Sequence, residues 1–399
     1  MSKRILFVAP SGSIHTRRWM QQISEQGWKL YLFPSHDTLW IDPDFHTPVY
    51  CVPFFFLYRL LHRAGMQRLF GVMYRAYQIL LQKMNPDYYD RRLARYINRI
   101  RPDLIHSLET QGSGYLVSRV RKKYFTSKKF PVWWHTNWGS DIALFGRIRE
   151  HKPLIREVLE NCNYYSCECE RDVQLAKDFG FSGITFPVYP NTGGFDPYLL
   201  DAIAAEAAPP SKRRIIMLKG YQGWAGRALN GMRALARCSD LLKGYEIVVY
   251  TNTAAEDIRI AAALLSADTG IPVRLLPGNS AHADILRSHS QARISIGLSM
   301  GDGISTSLLE AMAMGSFPVQ SYTACTAGWM EDGVTGMLVA PEDTDQIEQA
   351  LRKVLQDDEL VDHAAHINRN TIREKADFTK LKQLTIQSYQ NIFNNAPHE

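Results

Sequence analysis

An α/β protein of two domains, each built on a parallel sheet, is the fold class these 399 residues predict. The length exceeds what one ordinary hydrophobic core organises. Short, continuously apolar runs alternate with helical stretches, the pattern of parallel strands buried on both faces and linked by helices. The alternation also stops and restarts. Residues 201–213 are rich in Ala and Pro and then basic, and a second β/α series begins at Arg214. The expected division is a first domain over 1–200, a linker over 201–213, a second domain over 214–375, and a C-terminal helix and tail over 376–399.

The first series opens with the strand-like run Ile5-Leu-Phe-Val-Ala9, the turn Pro10-Ser-Gly-Ser13, a helix over 15–26 and a strand over 29–33. The first loop carries Gly12 and Ser13 onto a helix start, but it is not a G-x-G-x-x-G dinucleotide fingerprint. Strands follow at 103–107, 131–135, 164–167 and 183–186, with helices over 91–101, from Tyr115 and over 170–179. His106, His135, Trp138 and Asp141 stand at strand ends, where ligands bind in such sheets. A lone histidine there is more often structural than catalytic, and two in neighbouring loops shift that balance.

Residues 51–84 differ in character. They contain Val52-Pro-Phe-Phe-Phe-Leu-Tyr58 and a further run of apolar and aromatic residues, and every formal charge is positive: Arg59, Arg63, Arg68, Arg75 and Lys83. Helices apolar on one side and purely basic on the other attach to anionic membrane surfaces, whereas a helix facing only water mixes in acidic residues.

The second series has strands at 214–218, 245–250, 273–276, 293–298, 317–320 and near 339. Two of its loops suit anions. Lys219-Gly-Tyr-Gln-Gly-Trp-Ala-Gly-Arg227 is glycine-rich and basic, with Gly220 allowing close backbone approach, and it opens a helix. Ser299-Met-Gly-Asp-Gly-Ile-Ser-Thr-Ser307 opens another, with Ser305, Thr306 and Ser307 as candidate caps. It carries Asp302 at the loop and Glu310 further along the helix, so one bound molecule could touch both.

Composition narrows the class. Hydrophobic residues make up 45% and charged residues 22%, ordinary for a folded chain, and the formal charge is +6. Six cysteines form no paired C-x-x-C units and lack zinc spacing, so reduced thiols in a cytoplasmic protein are expected. No apolar run reaches membrane-spanning length, and the N-terminal run is too short for a signal peptide. No nucleic-acid partner is expected.

The run Asp302-x7-Glu310, continuing Ala-Met-Ala-Met-Gly-Ser-Phe-Pro-Val319 and then Glu331-Asp-Gly-Val-Thr-Gly-Met-Leu-Val339, resembles the family 4 retaining glycosyltransferases of the GT-B fold. Gly12-Ser-Ile-His-Thr-Arg-Arg-Trp19, the 102–106 strand, Trp138-Gly-Ser-Asp141 and Pro190-Asn-Thr-Gly-Gly-Phe-Asp196 extend the resemblance over most of the chain. It implies two Rossmann-like domains facing across a cleft, a C-terminal helix over 376–399 that crosses back to the first, and a nucleotide sugar held mainly by the second as a substrate, with no metal and no cofactor. Glu310 then takes the ribose hydroxyls, Asp302 faces the donor sugar, and Gly303, Ile304, Ser305 and Thr306 present backbone to the diphosphate or sugar. Lys219 and Arg227 neutralise the diphosphate. The chain departs from the family pattern in three places: Asp302 replaces a glutamate, the basic loop lacks the usual arginine, and either His135 or Trp138 occupies the active-site histidine position.

The resemblance implies transfer of a hexosyl unit from a nucleotide diphosphate sugar, a UDP-sugar favoured, to a hydroxyl acceptor with retention at the anomeric carbon. The partners are then the sugar nucleotide and a glycan or lipid-linked acceptor of bacterial polysaccharide or glycolipid assembly, with Trp138, Asp141 and the four arginines on the acceptor and membrane side. The expected location is cytoplasmic, peripheral on the inner face of the cell membrane. Two other functions fit the same residues: nucleotide-sugar epimerisation or hydrolysis, and a non-catalytic sugar-nucleotide-binding subunit.

Overall fold

The computed structural model describes residues 2–35, 83–126, 129–278 and 280–395, together with residues 72, 76, 77 and 80. The chain forms two compact units, Met1–Gly193 with Leu381–Glu399, and Gly194–Lys380. Each is built on a six-stranded parallel sheet with helices on both faces, as the sequence predicts.

In the first unit, β1 (Arg4–Ala9), β2 (Lys29–Pro34), β3 (Leu104–Leu108), β4 (Val132–Thr136), β5 (Tyr164–Ser166) and β6 (Ile184–Thr185) lie in the order β2-β1-β3-β4-β5-β6. The continuous apolarity of β1 has a direct cause. Successive side chains point to opposite faces, so Leu6 and Val8 enter one core while Ile5, Phe7 and Ala9 enter the other. The first core is closed by the helices Tyr88–Ile100, Tyr115–Tyr124, Lys152–Asn161 and Glu170–Asp178. The second is closed by the helix Ile14–Ile23 and by the C-terminal helix, Phe378–Asn395, which brings Leu381, Tyr389, Ile392 and Phe393 into it. The expected return of the C-terminal helix is therefore present.

In the second unit, β7 (Ile215–Lys219), β8 (Glu246–Tyr250), β9 (Val273–Leu275), β10 (Ala292–Gly297), β11 (Phe317–Ser321) and β12 (Met337–Val339) run β12-β11-β10-β7-β8-β9. The chain builds outward from β7 through β8 to β9, then returns to the other side of β7 as β10. That reversal is a topological switch point, and the loops after β7 and β10 diverge there at the carboxyl ends of neighbouring strands. The same reversal occurs between β1 and β3 in the first unit.

The expected linker over 201–213 lies inside the second unit. Its first residues end the helix Pro197–Ala204, whose Leu200 and Ile203 pack with Leu308, Leu309 and Met312. Its last residues are anchored. Ser211 bonds Asp362 through its backbone N–H at 2.9 Å and its hydroxyl at 2.7 Å, and the buried Arg213 guanidinium donates to the Ala292 and Met314 carbonyls, each at 3.1 Å. An Ala/Pro-rich composition marks a loop surface; it does not show the carbonyls that hold such a segment in place.

Helices over Glu256–Thr269, His282–Gln291 and Asp358–Lys375 fill stretches that the sequence pattern leaves unassigned. No helix of the described residues is long and apolar enough to cross a membrane. In the basic aromatic stretch, Arg59, Arg63, Arg68 and Arg75 lie outside the described residues.

Candidate active site

At the switch point of the second unit, β7 ends on Lys219 and its chain turns at Gly220. A Cβ on Gly220 would lie 2.4 Å from the Thr251 carbonyl oxygen, so only glycine lets the loop leave so close to the end of β8. The loop then returns to the neighbouring one: Gly226 bridges Ser299, and the Met300 N–H donates to the Ala225 carbonyl at 3.1 Å. The two anion-suited loops are thus joined by backbone hydrogen bonds.

Lys219 is 8% exposed. Its ammonium donates to Ser305 Oγ at 3.2 Å, lies 3.8 Å from Asp302 Oδ2 and sits 4.3 Å from the centre of the Tyr221 ring. Ser305 occupies the N-cap position of the helix Thr306–Met314, yet its hydroxyl makes no capping bond; it bonds Lys219 and, at 2.8 Å, Ser307. The positive helix start, the ammonium and the Asp302 carboxylate therefore converge. Gly303 is fixed by its carbonyl, which accepts from the Cys325 N–H at 3.0 Å, and Ile304 is buried in the core under the helix.

Glu310 lies on the same helix and is 7% exposed. Its carboxylate is addressed from a second helix, His282–Gln291, whose two histidines are seven residues apart and so share a face. His282 Nε2 is 2.9 Å from Glu310 Oε1, and His289 Nε2 is 3.9 Å from Oε2. Burial pushes the His289 imidazole down to about 4, leaving it neutral. Its Nδ1 is 2.8 Å from Ser295 Oγ, which is 2.7 Å from Ser316 Oγ. Tyr250 stands edge-on to His289 at 5.2 Å, and burial, then the Glu310 charge, raise its hydroxyl well above the usual range. Sequence reasoning missed His282 and His289; their i, i+7 spacing was the available signal, but its meaning depends on a glutamate 21 or more residues away.

Arg227 stands at the N-cap position of the helix Ala228–Arg237. Its guanidinium bonds Glu342 Oε1 at 3.1 and 2.8 Å and the carbonyls of Gly223 and Gly226. Arg227 is thus paired with the exposed Glu342, while Lys219 is the cation beside Asp302.

In the first unit the predicted residues gather at the ends of β3 and β4. His135 is 1% exposed, with Nδ1 2.8 Å from Ser107 Oγ and Nε2 3.1 Å from Thr110 Oγ1. Burial pushes its imidazole down to about 3. Asp141 accepts at Oδ2 from the backbone N–H and hydroxyl of Thr110, both at 2.9 Å, and at Oδ1 from the Trp138 N–H at 2.9 Å. Burial, outweighing these bonds, pushes its carboxyl up to about 7. Glu109, at φ +70°, turns the chain into a π-helical turn over Thr110–Gly114 and takes the N–H groups of Gly112 and Ser113. Trp138 is half-buried, 5.3 Å from the His15 ring, so it is Trp138 and not His135 that retains exposed surface. Gly12 is exposed on the loop after β1, and Ser13 Oγ caps the next helix by accepting from the His15 N–H at 3.2 Å. His106 is a core residue: it stacks on Trp134 at 4.1 Å and bonds Tyr389 and Thr136 at 2.6 and 2.8 Å.

Two Rossmann-like units and a polar, cationic switch point define the class, and structural comparison specifies it. The chain has the GT-B fold. It superposes on a sucrose-phosphate synthase from Thermosynechococcus elongatus with TM-score 0.69 at 15% identity, covering 99% of this chain and 100% of that one. The Anabaena protein HepE in complex with UDP-glucose gives 0.67 at 13%, covering 97% and 99%. A UDP-forming α,α-trehalose-phosphate synthase from Burkholderia xenovorans gives 0.65 at 13%, covering 100% of each. Within the chain, residues 233–357 match the family described as Glycosyl transferases group 1. That segment includes Asp302, Glu310 and both histidines beside it. Among curated proteins none matches the chain by sequence.

Proposed function

We propose that this protein is a retaining glycosyltransferase that moves a hexosyl unit from a nucleotide diphosphate sugar, a UDP-sugar favoured, to a hydroxyl acceptor. The observation that carries this reading is the convergence of Lys219, Asp302, Ser305 and the start of the Thr306–Met314 helix at the switch point, with Glu310 farther along that helix. The group 1 match over 233–357 and the UDP-glucose held by the structurally similar HepE support it.

In this reading Glu310 accepts the ribose hydroxyls and Asp302 faces the transferring sugar. As the bond between the anomeric carbon and the phosphate oxygen breaks, the electron pair leaves with the diphosphate. The Lys219 ammonium and the N–H groups at the helix start stabilise that charge, which is electrostatic catalysis by groups already in place. The acceptor hydroxyl attacks from the face the diphosphate leaves and gives it the proton, so no separate base and no metal is required. Trp138, the half-buried aromatic at the end of β4, belongs to the acceptor side.

The test is incubation with UDP-sugars and hydroxyl acceptors, with NMR of the product. Transfer with retained anomeric configuration is expected; turnover of the donor at full rate without any acceptor overturns transfer in favour of hydrolysis or epimerisation. The acceptor is proposed to be lipid-linked and the protein to act on an anionic membrane surface, on the strength of the basic aromatic stretch over 51–84. Binding to vesicles containing phosphatidylglycerol at low salt, lost on replacing Arg59, Arg63, Arg68 and Arg75 together, is the expected outcome. Indifference to such vesicles removes the membrane part.

A further inference from the structure

We infer that His282 is the positioning residue that holds Glu310 for a ribose diol, so that the His282–Glu310 pair, and not Glu310 alone, distinguishes a ribonucleotide from its 2′-deoxy form. This rests on the reading that Glu310 meets the donor ribose.

A glutamate has three rotatable bonds, and a carboxylate that must be ordered on binding gives up part of the affinity it provides. Here the ordering is built in. A carboxylate oxygen only accepts, so the His282 Nε2–H donates to Oε1 across 2.9 Å. The two oxygens of a carboxylate offer about four acceptor sites, and the His282 bond fixes the plane in which they lie. The His282 side chain is 25% exposed, so the pair stands where a ligand can reach it, while the Glu310 side chain is 9% exposed. His282 is itself fixed in plane: its ring stacks on Phe195 at 6.2 Å with 14° between the planes. Phe195 is anchored at both backbone groups, its N–H donating to Ala376 at 2.8 Å and its carbonyl accepting from the Phe378 N–H at 3.0 Å.

A second observation points into the same place. His289 is fully buried, its Nε2 makes no hydrogen bond, and that atom faces Glu310 Oε2 from 3.9 Å. A neutral imidazole there leaves the carboxylate its charge, and a polar atom without a partner in so dry a site is costly unless a ligand group completes it. The hydroxyls of a ribose have the donors and acceptors to do so.

The experiment measures, by calorimetry on the full-length protein, the affinity for whichever of UDP, GDP and ADP binds most tightly and for its 2′-deoxy form. The wild type is expected to prefer the ribonucleotide. In His282→Asn, whose amide is too short to reach Glu310, ribonucleotide binding falls about tenfold, the loss of a hydrogen bond to a charged group, while the 2′-deoxy form changes little, so the preference collapses. His282→Gln, whose amide nitrogen can stand where Nε2 stood, retains most of it. A thermal melt accompanies each variant, since a histidine that only packed would lower stability without changing the ratio. If both His282 variants keep the wild-type ratio while Glu310→Gln loses it, the inference is overturned and the ribose reading stands. If Glu310→Gln keeps the ratio, or no nucleotide binds the wild type, the ribose reading fails and the inference with it.

Discussion

The switch-point ends of the two sheets use similar residue types in opposite ways. In the first unit, His135, Thr110, Asp141 and Ser107 satisfy one another in a buried network, with bonds of 2.8–3.1 Å from each histidine nitrogen and each carboxylate oxygen. In the second, Lys219 bonds Ser305 at 3.2 Å and stands 3.8 Å from Asp302, and Glu310 is 2.9 Å from His282 and 3.9 Å from His289, whose Nε2 makes no hydrogen bond. A network whose members are consumed by each other holds loops in place, whereas charged groups gathered at the switch point of a parallel sheet stand where such sheets bind ligands. On the proposed function, the first cluster is support and the second carries the chemistry.

The largest effect that sharpens this contrast is expected at Lys219 and Glu310. Lys219→Ala removes the buried cation beside Asp302 and should lower kcat for sugar transfer by about 100- to 1000-fold, the scale for a preorganised charge-stabilising group. Glu310→Ala should act chiefly on donor KM. Steady-state kinetics in which both variants transfer like the wild type would erase the distinction.

Substitution in the first cluster should register as stability. Thr110→Val leaves His135 Nε2 and Asp141 Oδ2 each short of a buried partner and should cost about 1–3 kcal/mol in urea unfolding. Its kcat is expected to stay within a few-fold of wild type. A thousandfold drop in kcat with unchanged stability would move the chemistry to the first unit.

The same cluster has a pH signature. The folded Asp141 carboxyl titrates at about 7, above its ordinary value of 3.8, so between those limits the folded chain binds a proton the unfolded chain has released. Its contribution is full below about pH 4 and is lost as pH rises to about 7. His135, at about 3 against 6.5, works in the reverse sense: its contribution is full above pH 6.5 and is lost as pH falls toward 3. Asp141→Asn should therefore gain on the wild type by a few kcal/mol at most between pH 4 and 7, since a tenfold change in a protonation equilibrium corresponds to ~1.4 kcal/mol. Parallel stability curves for the two proteins would show that the carboxyl is not held up.

The smallest effect is expected at Arg227. Its pair with Glu342, whose side chain is 64% exposed, contributes roughly 0–1 kcal/mol. Arg227→Ala should shift the melting temperature by only a degree or two, and transfer by less than Lys219→Ala does. A drop in kcat matching that of Lys219→Ala would return Arg227 to the diphosphate.

Strands were legible because burial on both faces writes itself into sequence as unbroken apolar runs, as at Ile5–Ala9 and in the 293–298 run that became β10. The two anion-suited loops were legible because glycine, lysine and helix-capping residues cluster locally. What stayed hidden was convergence over long separations. Glu342 captures Arg227 from 115 residues away, and His282 reaches Glu310 from 28. Ser305 reads as a cap, but its hydroxyl goes to a lysine 86 positions earlier. Composition likewise made a linker of 201–213, because the carbonyls that Arg213 binds belong to residues 292 and 314.

The account stands most directly on donor binding by the second unit. Titrating the full-length protein with UDP and a UDP-sugar, beside Lys219→Ala, Glu310→Ala and Thr110→Val, is the deciding measurement. Binding that is strongly weakened in the first two variants and kept in the third is the predicted result. Nucleotide binding that survives loss of Lys219 and Glu310 but disappears in Thr110→Val would contradict it.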